Sequence, residues 1–544
     1  MLRLSTRIHS TIAATRPRFH VRLYTNGVAE VSIPTTTTTT KQQPVRVRFA
    51  PSPTGHLHLG GLRTALFNYL LAKKTGGDFI LRIEDTDQTR LVPGATEKLI
   101  SVLSWAGIKL DEGPDVGGAC GPYVQSKRTD IYREHARQLV ESGHAYRCFC
   151  TPERLDRIRK LGQKTGNQIG YDRHCAHLSE QQIKENMEKQ LPYTIRLRTP
   201  EGETKVDDMV HGPVTFANRL LDDSVLIKSD GFPTYHLANV VDDHLMGISH
   251  VLRGDEWLPS TPKHIILYNA FGWRSPRFVH LPLLMKPGGG KLSKRSNDAY
   301  VEHYIEQGYF PEALNNFVAL LGWSPPAGGS EILTSMDELV DKFDIGELND
   351  SQAVVDVNKL LWINKQHLLK RAETPEGTQS MAEQLHPLVN DKFGDKVKAL
   401  DPNGKHLYRL SVDYISKVIG CVKERIRLTS DVLEYCNYFF VKPDYTADEA
   451  QTLKKRLKAK AKDLVYSKEA RQGFEALDQF DSVSINRYWN DLAKENGVSY
   501  NQVMPTLRYA ITGRSVGASI PLTMEILGKS TCLSRLEEAA ASNQ

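Results

Sequence analysis

The sequence predicts an α/β fold for residues 45–300, interrupted by an α+β insertion, followed by an all-α fold for the rest of the chain. Residues 45–87 have the pattern of a strand, a turn, a helix and a second strand, which is a βαβ unit. Apolar strand patterns return at residues 250–253 and 278–285, after a stretch of short strands at 193–230. From about residue 371 onward, helix patterns occur without strand alternation.

The first βαβ unit contains a turn suited to anion binding. Residues 45–50 alternate apolar and basic side chains, a Pro/Ser/Gly cluster ends the strand, and residues 62–74 place apolar side chains on one helical face. Gly60 and Gly61 let a ligand approach the backbone, and His58 and the helix N–H groups can donate to phosphate oxygens. A tight turn with surface histidines explains this segment alone equally well.

Length and composition bound the function without fixing it. A chain of 544 residues corresponds to three or four domains at about 150 residues each. The formal net charge of +6 permits a polyanionic partner but does not require one. Since no apolar stretch approaches about 18 residues, we expect no transmembrane helix and no membrane partner.

The N-terminal segment has the composition of a mitochondrial transit peptide. Five arginines occur among residues 1–22, interleaved with Ser, Thr and apolar residues, and no acidic residue precedes Glu30. A threonine-rich linker at residues 35–40 follows. We therefore predict that residues 1–44 are a transit peptide and linker, and that the protein is located in the mitochondrial matrix. A disordered basic tail is the alternative.

A second glycine-rich loop, at residues 287–295, changes the interpretation of the first turn. His58-Leu59-Gly60-Gly61 and Lys291-Leu292-Ser293-Lys294-Arg295 together resemble the HIGH and KMSKS motifs of class I aminoacyl-tRNA synthetases. Gly61 replaces the second histidine of HIGH, and Arg295 replaces the final serine of KMSKS. Residues 48–55, 82–87 and 235–244 resemble the glutamyl-tRNA synthetases of the bacterial and organellar type. The resemblance extends from about Val45 to the C-terminus.

This resemblance implies a domain order. The catalytic domain would be a Rossmann-like class I fold split by an acceptor-binding insertion, and the anticodon-binding domain would be helical. Eukaryotic cytosolic and glutamine-specific enzymes have β-barrels there, so a helical domain indicates bacterial ancestry, consistent with an organelle. The predicted units are the catalytic halves 45–123 and 233–300, the zinc-containing insertion 124–232, a stem-contact domain 301–370 and the anticodon-binding domain 371–544.

The resemblance also implies ATP-dependent attachment of L-glutamate to tRNA(Glu) through a glutamyl adenylate, with Mg²⁺ as cofactor. It leaves open whether tRNA(Gln) is charged as well, and we expect a monomer. Two arginine forks suit a dicarboxylate substrate better than lysine point charges do. The implied catalytic residues are His58, Lys291 and Lys294; these three with Gly60, Glu256 and Trp257 bind ATP; and Arg48, Ala50, Ser52, Glu84, Tyr235, Asn239 and Arg253 bind glutamate. Taken singly, each could instead make an ordinary salt bridge or core polar contact.

A Cys-x-Cys pair and a Cys-x-His pair in the insertion predict a structural zinc site. Cys148 and Cys150 are separated from Cys175 and His177 by 24 residues, and thiolates with an imidazole suit tetrahedral zinc. Cys-x-Cys is less usual than Cys-x₂-Cys, so reduced free thiols remain the alternative. The same arrangement occurs in some bacterial glutamyl-tRNA synthetases, and Tyr171 is a candidate substitute ligand.

Rival functions differ from this prediction in one feature each. A glutamine-charging enzyme should carry the β-barrel C-terminus, and the tRNA-modifying paralogue should lack the anticodon-binding domain. A catalytically silent tRNA-binding protein would not need His58, Lys291 and Lys294. A nucleotide-dependent oxidoreductase should contain GxGxxG, which the first turn lacks.

Residues 453–464 predict a basic helix that is either solvated or in contact with tRNA phosphates.

Overall fold

A computed structural model describes residues 44–165, 171–290, 292, 300–326, 328–400 and 407–542. The predicted transit peptide up to residue 43 lies outside these residues, as do Lys291 and Lys294.

The first βαβ unit forms as the sequence predicts. Strand β1 (Arg46–Phe49), helix α1 (Leu59–Thr75) and strand β2 (Asp78–Leu81) follow one another, and the two strands pair in parallel. Helix α1 ends at Gly76, whose φ of 68° is left-handed and favours glycine. The turn between β1 and α1 therefore lies at the carboxyl edge of the sheet.

The insertion is built on a small antiparallel sheet. The elements from the second helix to the seventh strand are α2 (Ala95–Trp105), α3 (Thr129–Glu141), β3 (Ala145–Cys148), α4 (Pro152–Thr165), α5 (Glu180–Glu188), β4 (Thr194–Leu197), β5 (Glu203–Asp208), β6 (Gly212–Ala217) and β7 (Val225–Ile227). The three strands of the small sheet have the order β3-β4-β7. The hairpin β5–β6 does not join them: Asp208 pairs in parallel with Phe278, which attaches the hairpin to the main sheet.

The main sheet resumes after the insertion. The next elements are α6 (Tyr235–Leu245), β8 (His250–Gly254), α7 (Thr261–Ala270), β9 (Arg277–Leu281) and β10 (Leu284–Met285). Strands β8 and β9 pair in parallel, in the order β6-β5-β9-β8. The backbone N–H of Ser249 donates to the carbonyl of Arg46 at 2.8 Å, which places β1 beside β8. The parallel strands from both halves thus end at one edge.

Beyond residue 300, the described residues form helices, with β11 as the one named strand. Beyond residue 371, the described residues form only helices and turns, as the sequence predicts. The elements are α8 (Val301–Gln307), α9 (Pro311–Ala319), α10 (Met336–Lys342), β11 (Ala353–Val354), α11 (Val357–Arg371), α12 (Pro375–Leu400), α13 (Val412–Val422), α14 (Val432–Tyr435), α15 (Asp448–Arg456), α16 (Ala459–Val465), α17 (Lys468–Glu475), α18 (Ser482–Glu495), α19 (Tyr500–Thr512), α20 (Ile520–Leu527) and α21 (Lys529–Ala541). No helix among the described residues is long and apolar enough to span a bilayer.

Two helix predictions are corrected. The basic segment 453–464 is not one helix, because Leu457 is extended, with ψ of 137°, and separates α15 from α16. Both short helices contact α19, so packing overrides the local pattern. The apolar pattern of residues 311–323 also predicts one amphipathic helix up to Trp323. The helix instead ends at Ala319, and the side chain of Arg63 donates a hydrogen bond to the carbonyl of Leu321 beyond it.

Candidate active site

A cleft of about 520 Å³ lies at the carboxyl edge of the main sheet. Its walls come from both halves of the α/β fold and from the two loops singled out in the sequence. It brings together all the predicted glutamate-binding residues and the four predicted ATP-binding residues that the structure describes. These are Arg48, Ala50, Ser52, Glu84, Tyr235, Asn239, Arg253, His58, Gly60, Glu256 and Trp257.

Arg48 is held at the floor of the cleft by a buried carboxylate. Its Nε donates to Oδ1 of Asp243 at 2.9 Å, and Arg82 donates to the same oxygen at 2.7 Å. Burial opposes ionisation of Asp243, but the two guanidinium groups outweigh it and lower the pKa of this carboxyl. The Nη groups of Arg48 make no hydrogen bond with a described residue, so they remain available to a ligand in the cleft.

Glu84 is fixed from two sides. Its Oε1 accepts from Arg82 Nη2 and from Asn239 Nδ2, each at 3.2 Å. Burial raises the pKa of Glu84 despite the neighbouring arginines. The side chain therefore has a defined position from which it can accept a hydrogen bond from a substrate amino group.

Arg253 is a buried cation whose partners are uncharged. Its side chain is 5% exposed, and the described residues place no carboxylate within ion-pair distance of it. One Nη donates to Tyr235 Oη at 3.2 Å, and Tyr235 packs against Trp257 with 4.2 Å between ring centroids. Arg253 is thus positioned to receive a carboxylate from the ligand.

The first turn presents His58 at the start of α1. The backbone N–H of Gly61 donates to Nδ1 of His58 at 3.0 Å, so the proton of the neutral imidazole lies on Nε2. The second loop reaches the same cleft through Leu292, whose backbone N–H donates to the carbonyl of Leu284 at 2.9 Å. The two loops therefore border one cleft, the second of them through Leu292, while Lys291 and Lys294 lie outside the described residues.

The sequence did not single out several residues that organise the site. Arg82 and Asp243 lie inside quoted motifs, and a search for charged residues within apolar strands and helices would have found them. Arg63 is buried in α1, lines the cleft and donates to backbone carbonyls of Pro282 and Leu321. No periodicity or spacing marks this last role.

The predicted zinc ligands are only partly brought together. The sulfur atoms of Cys148, Cys150 and Cys175 lie within 4.8 Å of one another. His177, the predicted fourth ligand, is exposed and is not part of this group. In a 3₁₀ turn, residues two positions apart face different directions, so burying Cys175 turns His177 outward. The hydroxyl of Tyr171 lies there instead, 3.2 Å from the Cys148 sulfur.

Comparison with known proteins identifies the family of this chain. The family described as "tRNA synthetases class I (E and Q), catalytic domain" matches residues 44–362, and an anticodon binding domain matches residues 380–540. The glutamate–tRNA ligase of Chloroherpeton thalassium is 44% identical over 507 residues, covering 92% of this chain and 98% of the relative. That of Clostridioides difficile is 42% identical over 501 residues, covering 90% of this chain and 98% of the relative.

A solved structure agrees over the same extent. The crystal structure of a glutamate tRNA ligase from Elizabethkingia meningosepticum, in complex with its amino acid, superposes with a TM-score of 0.81 at 38% identity. The match covers 92% of this chain and all of the other. With both domains matched and the cleft in place, the chain belongs to the glutamate–tRNA ligases, which are class I aminoacyl-tRNA synthetases.

Proposed function

We propose that this ligase charges tRNA(Glu) in the mitochondrial matrix and that the cleft residues act as the sequence predicts. The N-terminal arginines and the absence of acidic residues before Glu30 support the location. The helical C-terminal half and the bacterial relatives support an organellar enzyme of bacterial ancestry.

One observation carries the substrate assignment. Arg48 and Arg253 line the same cleft as His58. No carboxylate of a described residue accepts a hydrogen bond from the Nη groups of either arginine. Two cations in a single cleft suit an amino acid with two carboxylates. In this proposal Arg253 binds one of the substrate carboxylates and Arg48 the other, with Ser52, Tyr235 and Asn239 adding hydrogen bonds. Glu84 receives the amino group.

The chemistry needs alignment and charge stabilisation rather than a protein nucleophile. The α-carboxylate of glutamate is ionised near neutral pH and attacks the α-phosphorus of ATP, which releases pyrophosphate and leaves glutamyl adenylate. A hydroxyl of the terminal tRNA ribose then attacks the acyl carbon, and AMP departs. Mg²⁺, when bound, neutralises phosphate charge. The Nε2–H of His58 and the backbone at Gly60 contact the phosphates, and Glu256 and Trp257 border the adenosine.

ATP–pyrophosphate exchange tests this assignment. With tRNA(Glu) present, we expect exchange to depend on glutamate and not on glutamine or aspartate. Arg253→Lys keeps the charge but loses the fork, so the KM for glutamate should rise by about tenfold or more, while Arg253→Gln should abolish detectable exchange. A wild-type enzyme that exchanges with another amino acid would refute the proposal.

Lys291 and Lys294 are proposed to bind the leaving pyrophosphate. Lys294→Ala should reduce the exchange rate by about 10²-fold or more, because it removes a cation that stabilises developing phosphate charge. A variant with nearly wild-type exchange would remove Lys294 from the mechanism. Lys286→Ala, at the residue just before this loop and outside the lining of the cleft, is the matched control.

Two further experiments define the biological role. Residues 1–44 fused to a fluorescent protein should direct it to mitochondria, and replacing the five N-terminal arginines with glutamines should abolish this targeting. Charging assays with purified tRNA(Glu) and tRNA(Gln) should show glutamylation of the former. Equal glutamylation of both would make the enzyme non-discriminating. Light scattering should give the mass of one chain, in keeping with a monomer.

We also propose that the thiol cluster holds a structural zinc ion. Three thiols and the Tyr171 hydroxyl supply four donors, which leaves no open position for catalysis. The guanidinium of Arg154 lies 3.5 Å from the Cys150 sulfur, so it would partly offset the negative charge of a thiolate-rich site. Zinc would tie β3 to the turn that contains Cys175, within the insertion.

A further inference from the structure

The hydrogen bonds that Arg253 donates share one property: every acceptor is neutral. Nε donates to Nε2 of His280 at 3.1 Å, one Nη donates to Thr261 Oγ1 at 2.8 Å, and the other contacts His264 Nδ1 at 3.2 Å as well as Tyr235. Arg48, in the same cleft, is paired directly with the carboxylate of Asp243. The two substrate-facing arginines are therefore held in different ways.

The first imidazole is locked by a carboxylate behind it. Oδ2 of Asp208 lies 2.6 Å from Nδ1 of His280, while Oδ1 accepts the backbone N–H groups of Val210 and His211, each at 3.0 Å. Burial opposes ionisation of Asp208, but these hydrogen bonds outweigh it and lower its pKa. An ionised Asp208 only accepts, so Nδ1 of His280 carries the proton and Nε2 is left as an acceptor for Arg253.

The second imidazole is locked by another histidine. Because His264 Nδ1 faces an arginine N–H, it must accept, and its proton lies on Nε2, which is 3.0 Å from Nδ1 of His236. Burial lowers the pKa of His264 well below its ordinary value and that of His236 to about 4, with nearby cations adding to the effect. Burial also lowers the pKa of His280. All three rings are neutral near pH 7.

We infer that Asp208, His280 and His264 are positioning residues that make the cleft selective for a carboxylate: they orient Arg253 through neutral rings and so leave its charge for the substrate. The inference rests on the proposed role of Arg253. A carboxylate directly on Arg253 would fix it equally well but would compete with the substrate, since opposite charges in a partly buried site attract strongly. Neutral acceptors avoid this, and glutamine, which has no charge to offer, leaves the cation unpaired.

A matched pair of variants isolates the charge. His264→Gln keeps a neutral acceptor, and His264→Glu differs from it by one negative charge at almost the same volume. In ATP–pyrophosphate exchange with the full-length enzyme and tRNA(Glu), we expect His264→Gln to stay within about threefold of the wild-type KM for glutamate. His264→Glu should raise that KM by about tenfold or more relative to His264→Gln, and should leave the KM for ATP unchanged.

Asp208→Asn provides an independent arm, because Asp208 does not line the cleft and cannot touch the substrate. Both oxygens of Asp208 accept hydrogen bonds from N–H groups, those of Val210 and His211 on one side and those of His280 on the other. The NH₂ group of an asparagine at this position would therefore face an N–H group whichever way it turned. This conflict should disturb the imidazole of His280. We expect the KM for glutamate to rise by about tenfold, with kcat changed by less than about threefold. His367→Gln replaces a buried histidine in the helical region, hydrogen-bonded to Asn316, and is the control.

The outcomes separate this inference from the proposed function. If the wild type shows no glutamate-dependent exchange, the proposed function fails. If the wild type exchanges with glutamate but His264→Glu and His264→Gln have the same KM for glutamate, neutrality of the acceptors does not matter and the inference is overturned. An Asp208→Asn enzyme that loses kcat and thermal stability with an unchanged KM would also overturn it, because that pattern indicates a purely structural role. Should His264→Glu fail to fold, the Asp208→Asn result decides.

Discussion

Nδ1 of His58 accepts the backbone N–H of Gly61 at 3.0 Å, so this one imidazole caps α1 and directs its remaining N–H away from the helix. The cap satisfies a helix N–H that would otherwise lack a partner. It also fixes the tautomer, because a ring nitrogen that accepts leaves the other to donate. The helix cap and the proposed phosphate contact of His58 thus use opposite edges of the ring, and a suitable substitution can separate them.

His58→Asn should retain the helix cap but not the phosphate contact. Asparagine is among the best N-cap residues, so we expect the thermal midpoint to change by less than about 2 °C. The shorter side chain lacks a donor at the position of Nε2, so kcat/KM for ATP in pyrophosphate exchange should fall by about 10²-fold or more. His58→Ala should lose the same activity and, in addition, about 1 kcal/mol of stability. An active His58→Asn enzyme would show that the ring does not contact the phosphates.

Two adjacent glycines at the end of α1 should respond differently to alanine. A Cβ at Gly77 would lie 1.8 Å from the carbonyl oxygen of Val45, whereas one at Gly76 would meet nothing within 4 Å. Gly76→Ala therefore carries only the strain of a left-handed backbone, about 1 kcal/mol. Gly77→Ala must displace the start of β1, and we expect a loss above about 3 kcal/mol. Urea unfolding measures both, and equal losses would contradict the backbone contact.

The sequence determined local elements better than their assembly. The first βαβ unit forms as predicted, because strand alternation, a Pro/Ser/Gly turn and an apolar helical face are all local patterns. The sequence placed the β5–β6 hairpin with the insertion, whereas in the structure a single parallel pair, Asp208 with Phe278, attaches it to the main sheet. That pairing joins strands that are far apart in sequence, and no local pattern encodes it.

The candidate site shows the same difference between local motifs, which the sequence predicts, and contacts between distant residues, which it does not. Arg48 lies in a quoted motif and Arg253 ends a predicted strand, so resemblance located both. The contact between Asp208 and His280 spans 72 residues and involves no recognisable motif. Likewise, local spacing suggested His177 as a metal ligand, but the direction of a side chain in a 3₁₀ turn decided against it. Asp208 and His280 are therefore found through the fold and not through the pattern.

Zinc analysis should distinguish the ligands. We expect about one zinc per chain in the wild type, and Cys175→Ala should lose the metal together with several degrees of thermal stability, because metal binding contributes to folding. His177→Ala should keep both, since this side chain lies outside the thiol group. Tyr171→Phe should bind zinc more weakly than His177→Ala does. If instead the His177→Ala protein contained no zinc and the Tyr171→Phe protein kept its zinc, His177 and not Tyr171 would be the fourth ligand.

Stability should fall on mild acidification through the half-buried His236. Burial, helped by the charges of Lys263 and Arg253, lowers the pKa of His236 from 6.5 to about 4. Between these two pH values His236 is protonated in the unfolded chain but neutral in the folded protein. Proton binding therefore stabilises the unfolded state as the pH falls, and the free energy of unfolding decreases between pH 6.5 and about pH 4.

His236→Gln should therefore flatten the pH dependence of unfolding. Between pH 6.5 and pH 5 we expect the variant to lose roughly 1 to 2 kcal/mol less stability than the wild type, measured as urea midpoints at each pH. The pKa values of Asp208 and Asp243 are lowered from 3.8 in the folded protein. These two carboxyls therefore reduce the free energy of unfolding only below about pH 3.8, outside the range from pH 6.5 to pH 5. Exposed His144 provides the control, since His144→Gln should leave the slope as it is. A His236→Gln protein with the wild-type slope would mean that this ring takes up its proton in the folded state, which would remove the neutral acceptor that the geometry assigns to His264.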